Sequence, residues 1–197
     1  MDGTLYITGD AEADRLLNTD PFALLIGMLL DQQVPMAWAF RGPASLKERL
    51  GYLDPARIAA LPPDDVVAAF TRKPALHRFP AVMARRVHDL ALFVTDNYYG
   101  DAGRIWTGVA TGGELFGRLQ ALPGFGDEKA KIFLALLAQR MGVAPEGWRE
   151  AAAPFGDGMP RSVADSSDPE SLARVRQWKQ AQRAAHLDKQ GRPLTPG

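Results

Sequence analysis

The stretch Leu122-Pro123-Gly124-Phe125-Gly126-Asp127-Glu128-Lys129-Ala130-Lys131 stands between two segments whose apolar residues recur three and four positions apart. That spacing is the period of an amphipathic helix, so the stretch reads as a tight corner between two helices. Two glycines flank one apolar residue. Glycine accepts positive φ and, having no Cβ, lets another group come close to the backbone. Phe125 is placed to plug a core, and the amides that open the following helix then face outward. An outward-facing helix start holds an anion, most simply a phosphate. Lys129 and Lys131 add positive charge nearby, while Asp127 and Glu128 suit the helix dipole and oppose an anion locally. An ordinary corner between two helices has the same Gly-x-Gly pattern.

Working outward, most of the chain reads as helix. Asp20-Pro21 supplies a capping side chain and a φ-fixed proline, and the apolar run over residues 22–30 follows at once. Nine residues fall far short of the roughly 20 that a membrane helix needs, so this run is a buried core helix. Residues 45–50 close against Gly51, Asp54-Pro55 opens a short helix through Leu61, and Pro62-Pro63-Asp64-Asp65 opens another to Phe70. Pro80 starts a longer helix in which Val82, Val87, Leu90, Ala91 and Val94 align, ended by Asn97-Tyr98-Tyr99-Gly100. Helices over residues 114–121 and 127–141 flank the glycine corner, and Asp168-Pro169-Glu170 starts the last one, through about Ala185. Residues 143–164 are rich in loop signals. No run of alternating β-branched residues appears, so the expected fold is all-α, with eight or nine short helices. The expected organisation is two helical lobes about a cleft. Residues 20–142 form a barrel-like lobe containing the corner, residues 1–19 and 143–187 a second lobe, and residues 188–197 a mobile tail.

Composition narrows the chemistry. With 46% hydrophobic and 23% charged residues in 197, the chain suits one compact domain or two small lobes. The absence of cysteine excludes disulfides, thiolate zinc sites, iron-sulfur clusters and a cysteine nucleophile, and three histidines (His77, His88, His186) speak against a histidine-rich metal site. Lys and Arg balance Asp and Glu at 23 each, so any basic face is local. Two such faces are present. Residues 71–88 hold Arg72, Lys73, Arg78, Arg85 and Arg86 without a carboxylate, and from Arg161 onward seven Lys/Arg stand against four Asp/Glu. A solvated helix face has this pattern, and so does a surface that touches a DNA backbone. No basic residue precedes Arg15, so the start lacks the order of a secretory signal and a cytoplasmic location is expected.

The glycine corner resembles the hairpin of the helix-hairpin-helix (HhH-GPD) base-excision DNA glycosylases, the superfamily that includes endonuclease III and the alkyladenine glycosylases. Leu122-Pro123-Gly124-Phe125-Gly126, with Ala130 four residues after the second glycine, carries the likeness. A second match is Leu29-Leu30-Asp31-Gln32-Gln33-Val34, similar to the family's apolar helix ending in a Gln-Gln or Ala-Gln pair. Together they cover about residues 20–142.

The resemblance implies a protein that binds duplex DNA, extrudes a damaged or mismatched base, and hydrolyses its N-glycosidic bond. It implies Gln33 near the extruded nucleotide. Gly124, Gly126, Lys129, Lys131, Arg85 and Arg86 are then the candidates for DNA contacts, and Gln32 and Trp38 for a base pocket. Trp38 and its neighbour Phe40 read equally as core residues.

Glycosidic cleavage passes through an oxocarbenium-like state that a carboxylate stabilises while water is oriented. In the family this is an Asp beyond the hairpin, but ungapped counting from Gly126 lands on Glu146, a departure from the pattern. Asp165, which follows an apolar pair ahead of the last helix, is the favoured substitute, with Glu146 and Asp157 as alternatives. If none of them acts, the expectation becomes a DNA binder that does not cut.

Bifunctional members place a catalytic Lys two residues after the second glycine, where this chain has Glu128; Lys129 lies about 100° further round the helix. Hydrolysis without strand cleavage is therefore expected. No organic cofactor is implied, and a monovalent cation on the hairpin carbonyls is.

Overall fold

A computed structural model describes residues 2–188 and 190–193. Among the described residues there are ten α-helices, two 3-10 turns and no strand beyond two isolated bridges. The fold is all-α.

Helix α1 (Ala11–Thr19) is capped by Asp10, and α2 (Pro21–Leu30) by Asp20, whose carboxylate accepts from the amides of Phe22 and Ala23 at 2.9 and 3.1 Å. Every residue from Phe22 to Leu30 is buried, so α2 is a central strut and not an amphipathic surface helix. Helix α3 (Met36–Leu50) packs on it closely, because a Cβ at Gly27 would lie 2.7 Å from the Phe40 ring. Phe40 is therefore core, one of its two expected readings.

Two short helices, α4 (Pro55–Ala59) and α5 (Pro63–Thr71), lean on the long α6 (Pro80–Tyr98), and His88 of α6 ties the α4 end down by a 3.0 Å bond to the Leu61 carbonyl. A 3-10 turn, Ala102–Ile105, leads to α7 (Gly112–Gln120), the glycine corner and α8 (Asp127–Arg140). Helix α8 is the second central strut, buried throughout residues 132–137. It packs against α7, the small helix α9 (Trp148–Ala152) and a 3-10 turn at Val163–Asp165, after which α10 (Pro169–Ala184) closes the helical order.

The segments expected to form two lobes share one apolar core. The termini do meet, since the Tyr6 amide donates to the Ser166 carbonyl at 3.3 Å and the Thr4 amide to that of Arg140 at 2.9 Å. Helix α1, however, packs on α2 and α3, whereas α9 and the 163–165 turn pack on α8, and one continuous apolar core runs through all of them. Within the expected tail, Asp188 and residues 190–193 are described. Asp188 exchanges bonds with Arg192, and Leu187 pairs with Pro193. Residues 194–197 lie outside the described residues. No helix among the described residues is long and apolar enough to cross a membrane.

Candidate functional site

The end of α2 and the start of α8 meet. Gly124, at φ +81°, makes this contact: a Cβ there would lie 2.6 Å from Leu29 Cδ1, so only glycine lets the corner close onto α2. Phe125 is buried and meets the Phe133 ring edge-on, centroids 5.8 Å apart, as its place between two glycines led us to expect. Gly126 is extended (φ −80°, ψ 178°), exposed, and faces open space. No side chain caps α8, and the amides of Gly124 and Gly126 donate to nothing among the described residues.

The end of α2 leaves carbonyls without helical partners, and three side chains from different parts of the chain satisfy them. Lys129 Nζ donates to the carbonyls of Met28 and Leu29 at 2.7 and 3.0 Å. Gln32 Nε2 donates to Leu29 at 2.7 Å. His77 Nε2 lies 3.2 and 3.1 Å from the carbonyls of Leu30 and Gln32, while the Phe79 amide donates to its Nδ1 at 3.0 Å. An acceptor at Nδ1 and two carbonyls at Nε2 assign the neutral tautomer with its proton on Nε2. Arg86 donates to Gln32 Oε1 at 2.8 Å and closes the brace. The product of this bracing is Gln33, exposed and held at φ 55°, a conformation that costs a non-glycine residue about 1 kcal/mol or more.

Between the braced loop and the start of α8 runs an open groove of about 540 Å³, lined by Met28, Asp31, Gln32 and Gln33 on one side and residues 126–129 with Ile132 on the other. Next to it Trp38 and Phe79 stand 41% and 40% exposed, with the buried His77 ring 6.3 and 6.2 Å from theirs. Val82, Arg78 and Arg85 continue this exposed edge. A further groove between α1 and α3 is lined by Glu12, Arg15, Lys47 and Glu48, charges that cancel in pairs and favour no ligand of either sign.

Several expected contact residues have other work. Lys129 and Arg86 are spent on holding the Gln loop, and Lys131 pairs with Asp127 at 3.0 Å. Gln32 braces the loop through both ends of its amide and also lines the groove. Gln33, Gly124, Gly126 and Trp38 do gather at the groove or its edge, and Arg85 is exposed beside it.

The three carboxylates expected for hydrolysis do not line the groove. Asp165 accepts from the Ser162 amide at 2.9 Å and faces Gln139 Nε2 at 3.5 Å, near the far end of α8. Gln139 is 12 residues past Asp127, about 18 Å along the helix axis. Burial raises the Asp165 carboxyl above its ordinary range, and its hydrogen bonds offset that only partly. Asp157 is exposed; hydrogen bonds from Arg161 and the Met159 amide outweigh its burial and lower its pKa. Glu146 is held by its backbone to Ala110 and Gly112, with its side chain exposed. The groove's own carboxylates are Asp31, Asp127 and Glu128, the last in contact with Gln190 Nε2 at 3.4 Å.

Burial, reinforced by the nearby cations Lys129 and Arg86, holds the His77 imidazole below its usual pKa despite two carbonyl partners. The unfolded chain therefore takes up a proton first, so the stability His77 contributes is full above about pH 6.5 and is lost as pH falls through the lower folded value. The melting temperature of the native chain should fall more steeply between pH 7 and 5 than that of His77→Gln. Parallel curves from pH-dependent thermal melts would contradict this.

With no cysteine, the chain builds no iron-sulfur cluster, and the described residues contain no group of three His, Asp or Glu able to hold a metal ion. Compared with known proteins, the chain matches no family model and no curated protein sequence.

Proposed function

We propose that the chain is a helix-hairpin-helix DNA-binding protein that holds a distorted or base-damaged duplex across the groove without cleaving it. One observation carries this reading: an exposed Gln33, fixed in a left-handed conformation, faces an uncapped helix start with a bare glycine at its mouth, while Asp165, Asp157 and Glu146 all lie outside the groove. The amides of Gly124 and Gly126 suit a backbone phosphate. Gln33 is placed to enter a gap left in the stack, and Trp38 and Phe79 offer flat faces to an unstacked base. A monovalent cation would rest on the hairpin carbonyls, of which Leu122 already accepts the Phe125 amide.

Monofunctional base excision is the second reading, favoured by the presence of Asp31 and Glu128 in the groove, where a carboxylate could face a sugar. Single-turnover assays on duplexes carrying uracil, thymine mismatches, alkylated purines and oxidised bases separate the two. Salt-sensitive binding without base release is expected. Breaks seen only after alkali would establish hydrolysis and move attention to Asp31 and Glu128, and nicking without alkali would contradict both readings.

A further inference from the structure

Helix α10 begins with a reciprocal cap, Asp168 accepting from the Ser171 amide at 2.8 Å and Ser171 Oγ from the Asp168 amide at 3.0 Å. Beyond its first turn it is scarcely held: Ser171, Leu172 and Val175 are its buried residues. Past Glu170 it carries Arg174, Arg176, Lys179 and Arg183 and no carboxylate. Arg174 is taken by Glu170 at 2.9 Å. The other three are spaced three and four apart, which puts them in one stripe about 10 Å long.

Arg176 and Arg183 are exposed and have no carboxylate partner among the described residues. The stripe leads to the groove. Lys179 Nζ reaches Met36 Sδ in the first turn of α3, directly after the Gln loop, and Gln190, just beyond the helix, contacts Glu128.

In a chain whose charges balance overall, this is a directed field and not a general one. Its chemistry favours a polyanion. The exposed surface of α10 carries glutamines between the cations and none of the large exposed hydrophobic residues, so it lacks the apolar anchor that a protein partner or a bilayer surface would engage. A line of cations about 10 Å long is long enough to meet more than one phosphate of a DNA strand.

We propose that Arg176 and Arg183, on either side of Lys179, form a second phosphate-binding line that grips the duplex backbone beside the groove. The proposal rests on the DNA-binding reading above. Its test is the dependence of duplex affinity on salt, measured by fluorescence anisotropy with a labelled duplex of about 20 base pairs and the whole chain. Each phosphate contact contributes about 0.9 to the slope of log K against log salt, so R176Q/R183Q should lower the slope by about 2 and weaken binding near 0.1 M salt by roughly one to two orders of magnitude. Glutamine keeps helix propensity, and both positions are exposed, so the melting temperature should not move. The single replacements, each expected to remove about 0.9 from the slope, report independently. R174Q, on a different face, should leave the slope unchanged.

A native chain that binds with a steep slope which R176Q/R183Q does not alter would overturn the α10 proposal and leave the groove reading standing. Equal effects from R174Q would overturn it in the same way. A native chain that binds no duplex at all would overturn both.

Discussion

Replacing Gly126 with aspartate is expected to cost about 100-fold in duplex affinity while leaving the melting temperature unchanged or slightly raised. The backbone at Gly126 is extended, a conformation open to any residue, and an added Cβ meets nothing within 4 Å. Aspartate at the residue before a helix is a better cap than glycine by a few tenths of a kcal/mol, and α8 has no side-chain cap of its own. The same carboxylate would accept from the Glu128 and Lys129 amides and set its negative charge beside the Gly124 and Gly126 amides offered to a phosphate, which it would displace and repel. Losing one charge-assisted hydrogen bond, about 1.5–3 kcal/mol, is a factor of about 10 to 100 before that repulsion is counted. Gly124→Ala should behave in the opposite way. Its φ of +81° and the 2.6 Å approach to Leu29 mean that a methyl group strains the fold itself. Two glycines separated by one residue thus have different tasks. Anisotropy titrations and thermal melts on both variants distinguish them, and unchanged affinity in Gly126→Asp would contradict the assigned role of the corner.

Phe133→Ala should destabilise the chain by about 3–5 kcal/mol, a large part of the roughly 5–15 kcal/mol that holds a typical domain together. Phe133 is completely buried on α8 and meets two aromatic edges, Trp106 at 5.9 Å and Phe125 at 5.8 Å between centroids. It joins the corner, the central helix and the residue that ends the first 3-10 turn. Removing the ring leaves a cavity under Phe125, so the corner should loosen and duplex affinity fall with stability. Urea unfolding read by tryptophan fluorescence and by circular dichroism would measure the change. A loss below about 1 kcal/mol would mean that the aromatic cluster does not hold the corner in place.

The sequence disclosed the elements with strong local chemistry. Asp20-Pro21 before an unbroken apolar run defines α2, Pro80 and the Tyr98-Tyr99-Gly100 end define α6, and the glycine pair defines the corner. Helix α1 escaped notice because it buries little more than Ala13, Asp14 and Leu17. The first half of α3 was hidden by Pro35, which caps it without a side-chain bond, and by Pro43 inside it. Helix α9 and the 163–165 turn are too short to show a period.

At the groove, Gln33 and the glycines were legible because their chemistry is local. That Lys129, Arg86 and His77 serve the end of α2 was not legible, since their partners lie 45 or more residues away in sequence and tertiary packing alone brings them together. Asp165 meets the local criterion of a carboxylate ahead of a helix, and packing sets it beside Gln139, at the end of α8 away from the groove.

On the proposed reading, the Gln loop and the glycine corner form one surface for DNA. Amide chemical-shift mapping of the isotope-labelled chain against a duplex with a central abasic site tests it most directly. The expected shifts concentrate in residues 31–35 and 123–129, with Gly124, Gly126 and Gln33 among the largest. Shifts confined to the α1–α3 groove around Arg15 and Lys47, or none at saturating duplex, would contradict it.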